Sequence, residues 1–182
     1  TLALIAVGSK TVESWHGKPQ TMDFFDFKGE IEEVLAAGRL NVEYVRSEKS
    51  WLHPGQSAEI LVDGQSIGYL GRLHPSLESA LDLGTTWVAE LDQKAVLQTY
   101  VSNFTELSRF PSVRRDIALL INDKINVSEI QQLIEKVGGE LLDSTWLFDV
   151  YTGQGVEAGK RSLAFAVLWQ HPSRTLEDAE IK

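Results

Sequence analysis

The order of predicted elements after residue 108 constrains the fold of this 182-residue chain more than any other feature. The short apolar run 116–121 predicts a strand. Asn126 or Ser128 can cap a helix whose apolar residues share one face, and Gly138-Gly139 ends that helix. Two more strands are predicted next, at 142–151 and 162–169.

This strand–helix–strand–strand order is that of a ferredoxin-like βαββαβ unit without its last elements. A second helix is predicted to begin at Thr175, which can cap it, while Glu177 and Asp178 suit its positive end. We therefore expect the unit to be truncated after the start of this helix, and the chain to be a segment of a longer polypeptide.

The first half of the chain predicts five strands and two helices in a mostly antiparallel arrangement. Asp63-Gly64-Gln65 separates two alternating apolar runs, which is a strong signal for a β-hairpin. Residues 93–107 are polar and have no clear period, as is typical of a linker. The fold class is therefore α+β, with a first domain at 1–92, a linker at 93–107 and a second domain at 108–182.

Several classes of function lack the residues that they need. The chain has no cysteine, which excludes disulfide scaffolds, cysteine-bound zinc, iron–sulfur clusters and thiol nucleophiles, and is compatible with a cytoplasmic location. The four histidines show no metal-ligand spacing, so no metal site is predicted. Gly153, Gly155 and Gly159 precede a strand rather than a helix, which favours a simple loop over a nucleotide cradle. We expect no catalytic site in this chain.

The charge distribution limits how the chain can bind nucleic acid. The net charge is −9, with −6 in residues 1–103 and −3 in residues 104–182, so a polyanion must be held by a local basic patch. Such a patch is indicated in the second domain, where basic residues cluster. They are Arg109, Arg114, Arg115, Lys160, Arg161 and Arg174.

The open face of a ferredoxin-like sheet is a known surface for single-stranded RNA, whose bases stack on aromatic rings. Strict alternation along strand 142–151 predicts Asp149 and Tyr151 on this open face, and Trp146 and Phe148 on the opposite one. Small side chains on strand 162–169 would leave a shallow surface beside Tyr151. The alternative is that Tyr151 only borders the sheet and that the arginines form surface ion pairs.

Four motifs in the second half, taken in order, resemble one family. They are Arg109-Phe110-Pro111 with Arg114-Arg115-Asp116, then Leu147-Phe148-Asp149-Val150-Tyr151, then Gly159-Lys160-Arg161-Ser162, and then Arg174-Thr175-Leu176 with Asp178. Together they resemble the C-terminal ferredoxin-fold anticodon-binding domain of bacterial phenylalanyl-tRNA synthetase beta subunits. In the first half, Met22 to Gly29, Leu52 to Ala58 and Ile67 to Pro75 resemble the catalytic-like module of the same subunit.

The resemblance implies an α2β2 ligase that joins phenylalanine to its tRNA with ATP and Mg²⁺, with activation on the alpha subunit. It also implies that residues 1–92 are part of a class II synthetase core that has lost its active site. Arg46 lies in a sequence similar to the arginine-bearing strand of active cores, but the glycine-rich motif ending in arginine is missing after His74-Pro75. Without that arginine an ATP triphosphate lacks its main charged clamp, so the segment is expected to be non-catalytic and to hold no cofactor.

The resemblance implies a role for each candidate residue in binding tRNA(Phe). The six basic residues would contact the RNA backbone, Tyr151 would stack on an anticodon base, and Asp149 or strand backbone would read a base edge. The alternative is that Asp116 and Asp149 hold the arginines in place as ion pairs. A competing hypothesis makes the chain a purely protein–protein module that assembles with the alpha subunit and has little RNA contact. A third, a free-standing enzyme or small-ligand regulatory domain, would require ATP–pyrophosphate exchange by this chain alone.

Overall fold

The computed structural model describes residues 1–15, 17–38, 40–97, 106–177 and 180–181. The chain divides into two compact units, Thr1–Ser102 and Asn103–Lys182. Within the segment predicted as a linker, Gln93–Val96 form a short helix, and Val96 is buried in the core of the first unit. Residues 98–105 of that segment lie outside the described residues. Among the described residues, no helix combines the length and apolar character needed to cross a bilayer.

In the part of the first unit that the structure describes, the chain forms a five-stranded antiparallel sheet and three helices. In sheet order its strands are β1, β5, β4, β3 and β2. The strands are β1 (Leu2–Val7), β2 (Val42–Arg46), β3 (Leu52–Val62), β4 (Gln65–Leu73) and β5 (Thr86–Leu91). The helices are α1 (Phe24–Ala36), α2 (Pro75–Ala80) and α3 (Gln93–Val96).

Helix α1 covers one face of this sheet. It begins at a capping box in which the Asp23 carboxylate accepts the Asp26 N–H at 2.8 Å and the Asp26 carboxylate accepts the Asp23 N–H at 3.0 Å. Three of its apolar side chains, spaced four residues apart, are buried in the core: Phe27, Ile31 and Leu35. This is one of the two helices predicted for the first half of the chain.

The hairpin predicted around Asp63-Gly64 joins β3 to β4. Val62 pairs with Gln65, which leaves a two-residue turn. Asp63 and Gly64 both have positive φ, at 50° and 75°, as a type I′ turn requires. β3 starts at Leu52 and β4 continues to Leu73, so both strands are longer than the apolar runs on either side of the turn.

A buried ion pair ties helix α2 to the sheet. The Glu78 carboxylate accepts hydrogen bonds from Arg72 Nε at 3.0 Å, from Arg72 Nη2 at 2.6 Å and from the Thr86 N–H at 2.9 Å. The hydrogen bond from Arg72, more than any other factor, holds the pKa of Glu78 below its ordinary value. The ionised carboxylate therefore stabilises the folded state.

We predict that Glu78→Gln lowers the free energy of unfolding at pH 7 by about 2 kcal/mol, because it leaves the Arg72 charge without its partner. A lowered folded-state pKa gives stability that is present above the unfolded-state value and is lost as the pH falls through the folded-state pKa. Urea unfolding should therefore show a constant difference from pH 7 to 5, which shrinks below the ordinary carboxyl pKa of 4.5. A difference that does not change with pH would contradict this.

The described residues of the second unit form a three-stranded antiparallel sheet and one helix. Its elements are β6 (Val113–Asn122), α4 (Val127–Gly138), β7 (Leu142–Tyr151) and β8 (Lys160–Trp169). The strand order β6-β8-β7 is that of the first three strands of a ferredoxin-like sheet. The helix predicted from Thr175 is not seen at Thr175–Glu177; Glu180 lies in a 3₁₀ turn, and residues 178–179 lie outside the described residues.

Helix α4 covers one face of the second sheet. The Trp169 indole N–H donates to the Gly138 carbonyl at 3.0 Å, and the Gln131 amide donates to the Thr145 carbonyl at 3.4 Å. The central strand β8 turns its bulky side chains toward this helix, which leaves its small side chains on the opposite face. The bulky side chains, Leu163, Phe165 and Val167, are fully buried. The opposite face of the sheet carries the candidate site.

Candidate nucleic-acid interface

A β-bulge at Phe148 decides which side chains of β7 reach the uncovered face of the second sheet. Leu147 pairs with Phe165 and Asp149 pairs with Ala164, so Phe148 is an extra residue in the ladder. Directly paired residues share a face of an antiparallel sheet. Strict alternation of the strand therefore fails at this point.

The bulge places Trp146 on the same face as Asp149 and Tyr151. Trp146 pairs with Ala166, and Tyr151 pairs with Ser162. Ala166 and Ser162 both point to the side of β8 away from α4. The prediction that Trp146 and Phe148 lie on the face opposite Tyr151 is wrong, because the extra residue resets the alternation. We call this uncovered surface, formed by Trp146, Phe148, Asp149, Tyr151 and the β6 and β8 residues beside them, the open face.

Three aromatic side chains are half-exposed on the open face. The exposed fractions are 40% for Trp146, 48% for Phe148 and 47% for Tyr151. Between Trp146 and Tyr151 the central strand contributes only small side chains, Ala164 and Ala166. Ala166 is itself fully buried, so the surface that a flat ligand can reach is that of the half-exposed rings.

Arg114 on β6 brings a positive charge onto these rings. Its guanidinium lies 5.4 Å from the ring centroid of Trp146 and 5.5 Å from that of Phe148, which is within cation–π distance. The same group makes two hydrogen bonds to Asp116, with Nε to Oδ1 at 2.7 Å and Nη2 to Oδ2 at 3.2 Å. The Arg114 guanidinium, held in place by Asp116, therefore lies beside the rings of Trp146 and Phe148.

The turn after β7 fixes the ring of Tyr151. Its hydroxyl donates to the Gln154 carbonyl at 3.1 Å. The ring packs directly against Gly153, where an added Cβ would lie 2.4 Å from the Tyr151 hydroxyl oxygen. Any larger residue at position 153 would push the ring away. The glycine-containing segment therefore supports Tyr151 and connects two strands, as predicted.

Two of the predicted cations do not reach the open face. Arg115 pairs with the buried Val167, which places it on the face that α4 covers. Arg161 points the same way, is half-buried, and donates from Nη2 to the Ile125 carbonyl at 2.7 Å. This bond supports the turn that leads into α4, so Arg161 has a structural contact there.

Of the other predicted cations, Lys160 lies on the open-face side at the start of β8, two residues before Ser162, while Arg109 and Arg174 lie outside the strands. Lys160 is ion-paired with Glu157 at 2.8 Å, which lowers the pKa of that carboxyl. Arg174 donates from Nη1 to Glu180 at 2.7 Å, and this bond is the main cause that lowers the pKa of Glu180 to about 2. Arg109 lines a shallow cleft of about 250 Å³ outside the strands. Within the described ranges, no three histidine or carboxylate side chains converge to hold a metal ion.

Sequence reasoning missed Trp146 and Phe148 as members of the site. One signal for them was present in the sequence: the segment from Trp146 to Tyr151 holds more aromatic side chains than one buried face of a three-stranded sheet needs. Alternation assigned them to the core, while the structure leaves both half-exposed. The open face therefore has three ring surfaces where the sequence predicted one.

Comparison with known proteins assigns each half of the chain. The family model "Phenylalanyl tRNA synthetase beta chain CLM domain" matches residues 1–93, and the model "Ferredoxin-fold anticodon binding domain" matches residues 108–182. The second match confirms the predicted ferredoxin-like fold. The class II synthetase-like character of the first half and the domain boundaries stay predictions.

Curated relatives agree over the whole chain. The phenylalanine–tRNA ligase beta subunit of Acinetobacter baylyi is 83% identical over 182 residues, or 100% of this chain. The subunits of that name from Psychrobacter arcticus and Hahella chejuensis are 43% and 40% identical over 100% and 99% of it. The chain spans 23% of the length of each of these relatives. On these matches, the chain belongs to the phenylalanyl-tRNA synthetase beta-subunit family.

Proposed function

We propose that this chain is a non-catalytic segment of a phenylalanine–tRNA ligase beta subunit whose open face binds the anticodon loop of tRNA(Phe). The observation that carries the proposal is the group of three half-exposed aromatic rings, with the guanidinium of Arg114, on the uncovered face of an anticodon-binding-type domain. Unstacked bases of a single-stranded loop bind such rings by stacking, which contributes about 1–3 kcal/mol per base.

The open face divides binding among three kinds of contact. The rings of Trp146, Phe148 and Tyr151 accept bases without regard to sequence. Asp149, exposed on the same face, accepts a hydrogen bond from a base amino group and so contributes identity. Arg114 exchanges its contacts with Asp116 for a phosphate, which binds the planar guanidinium in the same bidentate way.

The remaining cations have separate roles in this proposal. Arg109 and Arg174, outside the strands, and Lys160, at the start of β8, contact the RNA backbone. Lys160 and Arg174 give up their carboxylate partners to do so. Arg115 and Arg161 face α4 and do not take part. The interface therefore holds few free cations, so binding by this chain alone should be weak and is best measured at low salt.

In this proposal the catalytic steps take place in the rest of a cytoplasmic enzyme. Residues 1–92 scaffold the alpha subunit of an α2β2 assembly, and that subunit uses ATP and Mg²⁺ to attach phenylalanine. The competing function, a purely protein–protein module, is favoured by the exposed apolar side chains of the first unit, such as Ile5, Val7 and Trp15. RNA binding separates the two functions, because only the first requires the open face.

We predict that Tyr151→Ala weakens binding of a tRNA(Phe) anticodon stem-loop at least about fivefold at low salt, since one stacked base is lost. Fluorescence anisotropy with labelled RNA measures the dissociation constant, and circular dichroism checks folding. Leu133→Ala is the matched control, because Leu133 is an exposed apolar residue of α4, away from the open face. Equal binding of a stem-loop with a scrambled loop, or an unchanged dissociation constant for Tyr151→Ala, would contradict the proposal.

A further inference from the structure

The loop between β7 and β8 contains three glycines, and the backbone explains only two of them. Gly155 and Gly159 have positive φ, at 93° and 78°, a conformation that other residues rarely adopt. Gly153 does not have a positive φ, so its backbone conformation does not by itself require glycine. The requirement for glycine at position 153 must therefore come from the atoms around it.

The ring of Tyr151 supplies this requirement. A Cβ added at Gly153 would lie 2.4 Å from the Tyr151 hydroxyl oxygen, 2.5 Å from its Cζ and 2.7 Å from its Cε2. All three distances are far shorter than a van der Waals contact. The three atoms belong to one rigid group, so the ring would have to move as a whole to admit a methyl group. The ring is half-exposed and free to move, so we expect alanine to displace it and to leave the fold intact.

A hydrogen bond holds the other end of the same group. The Tyr151 hydroxyl donates to the Gln154 carbonyl at 3.1 Å. The turn that carries this carbonyl is closed by a hydrogen bond of 3.2 Å from the Val156 N–H to the Gly153 carbonyl. A hydroxyl has a single proton to donate, so Tyr151 has no donor left for the edge of a base. What it presents on the open face is the surface of its ring.

The stability of the fold does not account for this arrangement. Tyr151 is the last residue of β7, and its exposed fraction is 47%. A half-exposed ring at a strand end buries little apolar area, and the core of this unit lies on the other face of the sheet. Holding a side chain in one orientation before its ligand arrives lowers the entropy cost of binding. The arrangement therefore favours a role in binding.

We propose that Gly153 is a positioning residue for RNA binding, which holds the Tyr151 ring as a fixed stacking surface that accepts any base. This inference rests on the proposed function, which supplies the RNA, and adds how one of the three rings is oriented before binding. Stacking on a ring face tolerates every base, since every base has a π-face. The identity of the base is then read elsewhere on the open face.

The main test is a double-mutant cycle between positions 151 and 153 in the 182-residue chain. Gly153→Ala should raise the dissociation constant of a tRNA(Phe) anticodon stem-loop at least about fivefold at low salt, since a displaced ring loses its stacked base. In a Tyr151→Ala background the same substitution should change the constant by less than about twofold, because the ring is already absent. An equal loss in both backgrounds would mean general damage to the loop and would overturn the inference.

Gly29→Ala is the matched control, because an added Cβ there meets no atom within 4 Å and Gly29 belongs to the first unit. It should bind the stem-loop as the wild type does. Tyr151→Phe keeps the ring and should bind at least about threefold more tightly than Tyr151→Ala, since stacking is retained. Binding by Tyr151→Phe no better than that by Tyr151→Ala would overturn the role of the ring face.

Stem-loops in which each unpaired base is replaced in turn test the acceptance of any base. A replacement should change the affinity of the wild type and of Tyr151→Ala by the same factor. A replacement whose effect disappears in Tyr151→Ala would show that Tyr151 discriminates between bases and would contradict the proposal.

A spectroscopic readout reports the position of the ring without RNA. In a chain labelled with 3-fluorotyrosine, the ¹⁹F resonance that is absent from Tyr151→Phe belongs to Tyr151. It should shift in Gly153→Ala and stay in place in Gly29→Ala. An unshifted resonance, or wild-type RNA binding by Gly153→Ala when Tyr151→Ala binds weakly, would overturn this inference alone. Wild-type RNA binding by Tyr151→Ala would overturn the proposed function as well.

Discussion

Replacing Trp146 and Tyr151 together with alanine should weaken binding of the tRNA(Phe) anticodon loop by about 30-fold or more. Each stacked base contributes about 1–3 kcal/mol, and two stacks that act independently add. The two rings stand apart across the floor formed by Ala164 and Ala166, so each can hold its own base. The double variant should remain folded, because both rings are half-exposed and their loss leaves no large cavity.

The control for this experiment is Leu133→Ala combined with Val137→Ala. These residues are exposed on α4, which packs on the other face of the sheet, so the control removes apolar surface without changing the open face. The two single variants, Trp146→Ala and Tyr151→Ala, complete a double-mutant cycle measured by anisotropy at constant salt. A double variant that binds as well as Tyr151→Ala would remove Trp146 from the interface.

The position of Trp146 shows where sequence reasoning about the site stopped. The period-2 pattern gave the correct bounds for β7, because strand limits depend on local composition and the turns around them. The face of each residue depends on an unbroken register, and the bulge at Phe148 breaks it. No glycine or proline marks this bulge, so the chain offers no local signal for it.

The arginines show a different limit, one that alternation could have anticipated. Arg114 and Arg115 are neighbours in the sequence and were grouped as one patch, yet consecutive residues of a strand point to opposite faces. Arg161 was grouped with them by charge, but its guanidinium supports the turn before α4. Charged residues three or four apart in a helix lie close together in space. Adjacent residues of a strand do not, because they point to opposite faces.

Features determined by local chemistry were predicted well. The Asp63-Gly64 turn specifies its own backbone conformation, and the Asp23 cap specifies the start of α1. The connection between β1 and α1 has neither an apolar period nor a strong turn signal in the sequence, and its two ends are joined by hydrogen bonds between residues far apart in the chain, such as that from the Lys10 N–H to the Gln20 carbonyl.

Gly68→Ala should produce the largest loss of stability, lowering the free energy of unfolding of the first unit by about 3 kcal/mol or more. An added Cβ at Gly68 would lie 2.2 Å from the Glu90 carbonyl oxygen and 3.0 Å from the Leu91 Cα, both of them backbone atoms of the neighbouring strand. Gly68 pairs with Leu91 in the interior of the sheet, so relief of the clash requires β4 and β5 to separate.

The matched control is Gly29→Ala in helix α1, where an added Cβ meets no atom within 4 Å. Alanine is preferred over glycine inside a helix, so this variant should gain about 0.5–1 kcal/mol. Hydrogen exchange of the β4 and β5 amides, followed through urea unfolding, measures both changes in the first unit. RNA binding by the second unit should survive Gly68→Ala, because the open face belongs to the other sheet. A Gly68→Ala variant within 0.5 kcal/mol of the wild type, a threshold about the size of an ordinary surface substitution, would mean that the two strands do not approach as closely as the structure shows.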